Sequence, residues 1–218
     1  MHTLKCKLFK LPSGYIKGYQ HFYEQTLYTH PQVFIPRSDT ECLIRDILAN
    51  TALLPDSILD LGTGSGAIAI ALSKALPSAQ VHATDINVHA INLARNNAYL
   101  NKADVKVWYS NWFSHIDQTY DLIVSNPPYI DISENVGTEV LFEPANALYA
   151  PDQGYRYLMD IIFQSYHHYL NSGGSVVLEH GYNQGEKIIQ YMNDCGYTGV
   201  RAIYDLHHIH RATVGIKP

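Results

Sequence analysis

Cysteine is scarce in this chain of 218 residues: Cys6, Cys42 and Cys195 are odd in number and far apart. That pattern excludes a disulfide framework and offers no zinc-knuckle spacing. Long apolar runs are missing as well. No stretch approaches the roughly eighteen residues that a membrane helix requires, and the opening Met-His-Thr-Leu-Lys-Cys-Lys lacks the apolar core of a secretory signal. Cations are outnumbered: fifteen Lys and Arg against twenty Asp and Glu give a formal charge of −5. An acidic balance makes a poor general nucleic-acid sleeve, because phosphate binding draws on clustered cations. A local basic groove stays open. Charged residues reach only 16% against 46% hydrophobic, the balance of a folded globule rather than a disordered chain. The length suits one well-filled domain with a small appendage. Together these absences predict a soluble, cytoplasmic protein of a reducing compartment, with no membrane partner.

Residues 1–36 carry aromatics, turn formers and short β-like runs at His21–Glu24, Thr26–Tyr28 and Val33–Ile35, which predict a hairpin-like lead-in. Ser38 and Glu41 have the spacing of a capping box. Leu43, Ile44, Ile47 and Leu48 then share one helical face, up to about Asn50. Strand and helix alternate from there. Strands are expected at Ser57–Leu61, Gln80–Ile86, Val105–Tyr109, Asp121–Ser125, Ser175–Glu179, Val200–Tyr204 and Ala212–Ile216. Helices are expected at Ala67–Leu76, from Val88 to about Asn101, along the stripe Leu158, Ile161, Ile162 and Tyr169, and at Glu186–Asp194. A loop-rich region spans Asp131–Gln153, and Asn171-Ser-Gly-Gly is read as a helix stop. Such alternation predicts an α/β fold with a doubly wound, largely parallel seven-stranded sheet.

The turn Gly62-Thr63-Gly64-Ser65-Gly66 joins the apolar strand Ile58-Leu59-Asp60-Leu61 to a helix of small residues. Glycines let a backbone turn tightly and approach a ligand. The spacing is G-x-G-x-G, not the G-x-G-x-x-G of a dinucleotide site, and no Gly-Lys-Ser/Thr of a nucleotide P-loop follows. Asp85 ends the next strand, which places a carboxylate at the sheet's carboxyl edge, able to accept both hydroxyls of a ribose. Adenosine without a pyrophosphate points to S-adenosylmethionine. The plainer alternative is a tight strand–helix turn with Asp85 capping the next helix.

Asn126-Pro127-Pro128-Tyr129 follows a later strand at the same edge. Two prolines remove two backbone donors and restrict Asn126. What remains is rich in acceptors, with the Asn126 side-chain oxygen and the Pro127 carbonyl available to a planar –NH₂ group. An amide nitrogen is a weak nucleophile. Acceptors on both of its hydrogens aim its lone pair and stabilise the positive charge that develops on nitrogen, while Tyr129 offers a ring to pack on the planar group. An ordinary proline turn with a buried Asn is the alternative.

Phe34-Ile-Pro-Arg-Ser-Asp-Thr-Glu-Cys-Leu, Ile58–Leu72, Ser110-Asn-Trp-Phe, Ile123-Val-Ser-Asn-Pro-Pro-Tyr-Ile-Asp, Phe142-Glu-Pro and Leu178-Glu-His-Gly together resemble the HemK/PrmC family. These are glutamine methyltransferases of peptide chain release factors, and the similarity runs from about Tyr15 to the C-terminus. The Asn-Pro-Pro-Tyr turn is shared with DNA adenine methyltransferases and other amino methyltransferases; the Ile-Pro-Arg…Thr-Glu segment joined to Phe-Glu-Pro is much more particular to the glutamine branch. The resemblance implies a Rossmann-like class I methyltransferase domain over 37–218, led by the 1–36 hairpin segment. It implies methyl transfer from S-adenosylmethionine to the glutamine of a Gly-Gly-Gln motif in class 1 release factors. It assigns Gly62, Thr63, Gly64, Ser65 and Gly66 to the methionine and ribose side of the cofactor, Asp85 to the ribose hydroxyls and Trp112 to the adenine. It gives Asn126, Pro127, Pro128 and Tyr129 to the substrate glutamine, with Asn126, Pro127 and Tyr129 as the catalytic set and Asn126 also touching the cofactor. A monomer without direct nucleic-acid binding is implied.

Three departures stand out. Relatives usually carry a helical domain before the hairpin, and almost nothing precedes it here, as in a short form or a fragment. Asn111 stands where relatives often have Asp, and Asp205-Leu-His-His-Ile-His-Arg lacks their glycine and acidic residue before the final strand. His207, His208 and His210 lack the Cys or carboxylate partners of a metal site, so a solvated turn is expected. Arg37 is expected to make a structural contact near the site entrance, and Glu143 and Pro144 to shape a loop over the cleft. Other substrates remain open at this point: a ribosomal-protein glutamine, or adenine in nucleic acid. So does an inactive cofactor-binding module.

Overall fold

The structure is a computed structural model that describes residues 11–50 and 55–218; Cys6 and the first part of the lead-in lie outside the described residues. A short helix α1 (Ser13–Lys17) leads into an antiparallel hairpin of β1 (Tyr19–Phe22) and β2 (Gln25–Tyr28). A 3-10 turn (Ser38–Thr40) opens α2 (Glu41–Asn50). Then follow β3 (Ser57–Leu61), α3 (Ala67–Ala75), β4 (Gln80–Asp85), α4 (Val88–Asn101), β5 (Val105–Tyr109) and β6 (Tyr120–Ser125). After a long loop come α5 (Arg156–Gln164), β7 (Leu170–Glu179), α6 (Gly185–Cys195), β8 (Thr198–Tyr204) and β9 (His210–Ile216).

The seven-stranded sheet runs β5-β4-β3-β6-β7-β9-β8, parallel except for β9, which is antiparallel to both neighbours. Side chains alternate across it. Ile58, Leu122 and Val124 join Ile44, Ile70 and Leu72 on one face; Leu59, Leu61 and Ile123 join Leu158, Ile162 and Met192 on the other. Each such buried aliphatic contributes about 1.5–3 kcal/mol, so neither face tolerates exposure and both are covered by helices. Phe22 and Leu27 anchor the hairpin in the first of these cores. Asn97 of α4, fully buried, ties it further: its amide pairs with both backbone groups of Tyr28 (2.8 and 3.1 Å) and donates to the Ser65 carbonyl (2.9 Å).

The order of strands reverses between β3 and β6, and ligands of open α/β sheets bind in the crevice beyond that point. Register decides what stands there. Leu61 pairs with Thr84 on one side and Ser125 on the other, and Ser125 pairs with Leu178. One residue further on, Gly62, Asp85, Asn126 and Glu179 therefore line up along one carboxyl edge.

Three expectations are corrected. Val33–Ile35 forms no strand, because its backbone is claimed by side chains and a turn: Tyr15 Oη donates to the Val33 carbonyl (2.8 Å) and Ile35 N–H donates to Glu143 (3.1 Å). The Ser38–Glu41 capping box does not form. Glu41 is already the acceptor for Tyr23 N–H (3.0 Å) and for Arg45, and the helical turn begins at Ser38 with no side-chain cap. Asn171-Ser-Gly-Gly does not stop the preceding helix, which closes through a wider turn at Ser165–Tyr169. Those residues form a bulge at the start of β7, where pairing jumps from Leu170 to Ser175 while β6 advances only from Tyr120 to Leu122. Gly174 is needed there, since a Cβ would lie 2.9 Å from the Asn171 carbonyl and 3.1 Å from that of Asp121.

Candidate active site

The glycine turn folds tightly because Gly62 and Thr63 N–H both donate to the Thr84 carbonyl, at 2.9 Å each. Gly62, Gly64 and Gly66 all take the left-handed backbone, with φ of +70°, +57° and +85°, a region that side chains other than glycine's enter at a cost. The apolar helix α3 has no acidic residue in its first turn and no side-chain N-cap. Asp60 supplies the missing acceptor from the strand below: Oδ2 accepts Ala69 N–H (3.1 Å) and Thr63 Oγ1–H (2.6 Å). Its burial pushes the carboxyl up to about 7. Asp85 braces the outside of the turn, accepting Gly64 N–H at Oδ2 (2.9 Å) and Asn87 N–H at Oδ1 (2.8 Å). Partial burial raises its affinity for a proton, against the pull of these backbone donors.

Across a cavity of about 610 Å³ stands the Asn126–Tyr129 turn. Ser125 Oγ donates to the Leu61 carbonyl (2.6 Å), fastening the end of β6 to the end of β3. The side chain of Asn126 donates through Nδ2 to Thr40 Oγ1 (3.2 Å), which leaves Oδ1 as its free acceptor head. Pro127 is buried. The Tyr129 carbonyl is taken by Gln184 Nε2 (3.0 Å), and its hydroxyl donates to Glu179 (3.3 Å).

The walls come from three other segments. Trp112, itself in the left-handed region (φ +49°), lies under Gly62 and packs against Tyr157 of α5, ring centroids 5.2 Å apart. Arg156 and Asp160, paired at 2.9 Å, stand at the mouth. The loop between β6 and α5 is pinned by Glu143, whose buried carboxylate holds both Ile35 N–H and the Arg37 guanidinium. Desolvation raises the Glu143 pKa although Arg37 opposes it. The Ile-Pro-Arg and Phe-Glu-Pro segments, more than a hundred residues apart, are thus joined by one ion pair.

Among the expected site residues, Gly62, Thr63, Gly64, Ser65, Asp85, Trp112, Asn126, Pro127, Pro128 and Tyr129 all border this one cavity. Gly66 is placed differently. It faces α4, where a Cβ would meet Ala94 at 3.2 Å and Ile70 at 3.0 Å, so its smallness serves helix packing. The arrangement pairs a carboxylate beside a glycine turn with an acceptor-rich turn facing it, which suits a diol-bearing ligand on one side and a planar –NH₂ group on the other.

The Methyltransferase small domain family model matches residues 24–178. The release factor glutamine methyltransferase of Escherichia coli (strain K12) is 40% identical over 208 residues, covering 94% of this chain and 75% of that one. That of Vibrio cholerae serotype O1 is 41% identical over 212 residues, covering 94% and 73%. The chain belongs to the release factor glutamine methyltransferase family. Fold alone is shared with more distant structures. Ribosomal protein L11 methylase from Lactobacillus delbrueckii subsp. bulgaricus is 24% identical, with a TM-score of 0.63 over 84% of this chain and 81% of that one. A methyltransferase from Pyrococcus furiosus is 22% identical, with a TM-score of 0.66 over 88% of each.

Several residues of this methyltransferase's cleft were not singled out by sequence reasoning: Asp60 as cap of α3, Thr40 behind Asn126, Glu179 behind Tyr129, and Arg156, Tyr157 and Asp160 on α5. Thr40, Asp60 and Glu179 had a signal, each inside a segment that carries the family resemblance (Phe34–Leu43, Ile58–Leu72 and Leu178-Glu-His-Gly), whereas Arg156, Tyr157 and Asp160 had none. Among the described residues no group of three or more His, Cys, Asp or Glu is arranged to hold a metal ion. His207 and His208 lie exposed in the β8–β9 turn, while His210 packs edge-on against buried His180. That turn dispenses with glycine: His208 takes the left-handed position (φ +59°), and Asp205 Oδ1 accepts the N–H groups of His207 and Ile209. No helix of the described residues is long and apolar enough to cross a membrane.

Proposed function

We propose that this chain transfers a methyl group from S-adenosylmethionine to the side-chain amide nitrogen of the glutamine in the Gly-Gly-Gln motif of class 1 peptide chain release factors. The observation that carries the reading is the convergence of the Asp85-braced glycine turn and the free Oδ1 head of Asn126 on one cavity. The lining of the cavity supports the cofactor in this reading. A carboxylate stands at the cavity wall for a ribose diol, and the rings of Trp112 and Tyr157 provide an apolar wall for a purine. The cradle at Gly64 is open, since a Cβ there would meet only Val33, at 4.0 Å. Gly62 to Ser65, Asp85 and Trp112 hold the cofactor in this reading, and Asn126 lies between cofactor and substrate.

S-adenosylmethionine supplies an activated methyl on a sulfonium. The protein's share is to position and polarise the acceptor nitrogen. Asn126 Oδ1 and the Pro127 carbonyl accept the two hydrogens of the glutamine –NH₂, turning its lone pair toward the donor and stabilising the charge that develops. Tyr129 packs on the planar amide. No strong base is needed, because a methylated amide nitrogen bearing positive charge is very acidic and sheds its proton to water. The acidic balance of the chain supports a protein substrate over nucleic acid.

Calorimetry of cofactor binding, combined with labelled methyl transfer to a purified release factor, tests the assignment. Asp85→Ala is expected to weaken cofactor binding by about 10–100-fold. Asn126→Ala is expected to leave binding within about threefold and to lower kcat by at least about 100-fold. Full transfer by Asn126→Ala, or equal label on a factor whose Gly-Gly-Gln glutamine is replaced by Ala, would overturn it.

A further inference from the structure

A side-chain amide has an acceptor head and a donor head, and only one orientation of Asn126 offers oxygen to an incoming –NH₂ group. Nothing in the turn itself chooses between them. The choice is made by Thr40, delivered from the 3-10 turn ahead of α2, whose Oγ1 accepts Asn126 Nδ2–H at 3.2 Å. A hydroxyl has a single hydrogen, and if Thr40 pointed it at Asn126 the opposite head would be favoured. Glu179, set alongside Asn126 by the register of β6 and β7, is the anionic neighbour that draws this hydrogen away from Asn126. Glu179 also takes the Tyr129 hydroxyl hydrogen, at 3.3 Å.

Glu179 is an expensive residue to keep in this place. It ends β7 at 3% exposure, and its Oε2 is buried with no hydrogen-bond partner among the described residues. A desolvated carboxylate with an empty acceptor costs stability that an apolar residue would not. Register explains its location: β6 and β7 pair Ser125 with Leu178, which sets Glu179 alongside Asn126.

We propose that Glu179 and Thr40 are positioning residues for methyl transfer: the relay Glu179–Thr40–Asn126 locks the Asn126 amide with Oδ1 toward the cavity, and the Glu179–Tyr129 bond fixes the ring beside it. The inference rests on the reading of Asn126 as acceptor for the substrate amide. Glu179 stands outside the cavity lining and Thr40 at its wall, and in this proposal both act through the turn.

The relay also has an acid-sensitive state. The groups facing Glu179 are Tyr129, Asp39 of the 3-10 turn, Arg211 of β9 and Cys42 of α2. Burial pushes Glu179 up to about 7, helped by Asp39 and opposed by the Thr40 and Tyr129 hydrogen bonds and by Arg211. Tyr129 and Cys42 are both pushed upward, away from neutrality. The carboxylate accepts the Tyr129 hydroxyl hydrogen at 3.3 Å and attracts that of Thr40. Once protonated, at the unpartnered Oε2, it is a weaker acceptor than the carboxylate, so its hold on the Thr40 hydrogen loosens and that hydrogen is freer to turn toward Asn126. The kcat is therefore expected to rise with pH through about 7.

The test measures kcat, KM for a purified release factor and Kd for S-adenosylmethionine on the full chain and four variants. Thr40→Val, which keeps the shape and removes the hydroxyl, is expected to lower kcat by about 10–100-fold while Kd stays within about threefold. Thr40→Ser is expected to recover most of that loss. Glu179→Gln is expected to remove the rise of kcat around neutral pH. Equal kcat for Thr40→Val and wild type, with Asn126→Ala inactive, would overturn the relay and leave the turn's role intact. Full activity of Asn126→Ala would overturn the reading of the turn and the relay with it. The Thr40 pair decides alone should Glu179→Gln fail to fold.

Discussion

At the scale of single residues, the glycines of one turn do different work. Gly64 opens on the cavity, whereas Gly66 is pressed against Ala94 and Ile70. Gly66→Ala is expected to cost roughly 2–4 kcal/mol, from the positive φ and the overpacking together. Gly64→Ala carries the backbone cost alone, about 1–2 kcal/mol, and in addition weakens cofactor binding. Denaturant unfolding beside binding calorimetry separates the two. Two buried carboxyls add a pH signature. Asp60 and Glu179 both sit at about 7 in the fold, above the ordinary carboxylate range. A raised pKa means that the native state holds the proton more tightly than the unfolded chain. Their contribution is complete below about pH 4 and is lost as the pH climbs through 7. Glu179→Gln and Asp60→Asn are therefore expected to gain on the wild type in Tm between pH 5 and pH 8, by about 2–6 °C each. A constant difference across that range would contradict the burial of these groups as charges.

Elements were legible where their own residues determine them. The apolar runs of β3 to β9 and the stripes of α3 to α6 declare strands and helices because burial on a sheet face or a helix face demands those patterns. Val33–Ile35 has an equally apolar run and is not a strand, since its backbone partners, Tyr15 and Glu143, come from segments that no local pattern connects to it. The Asn171–Gly174 bulge failed for a similar reason: glycines that serve a strand pairing look the same in sequence as glycines that stop a helix. The loop after β6 contributes another long-range fit. Asp152, Gln153 and Gly154 are all left-handed, and a Cβ on Gly154 would sit 2.1 Å from the Tyr129 carbonyl. Since that oxygen is backbone, the turn itself has to move. Gly154→Ala is expected to lower kcat by at least about tenfold and to destabilise the fold by roughly 2–4 kcal/mol. Kinetics beside thermal unfolding checks both, and unchanged values would contradict the close packing of loop against turn.

For the molecule as a whole, the sheet turns separate sequence signals into one site. Gly62 and Asn126 each follow a strand and Asp85 ends one, so sequence reasoning reaches them one at a time. Parallel register then sets them side by side at the point where strand order reverses. Thr40 and Glu179 escape such reasoning because their part exists only after register and the 3-10 turn have brought them behind Asn126. The measurement that tests the account most directly is tandem mass spectrometry of a release factor after reaction with this protein and S-adenosylmethionine. The account predicts one added methyl on the side-chain nitrogen of the Gly-Gly-Gln glutamine, absent when Asn126→Ala replaces the wild type. A methyl on any other residue, or an unmodified glutamine with a protein that binds the cofactor and turns over another acceptor, would contradict it.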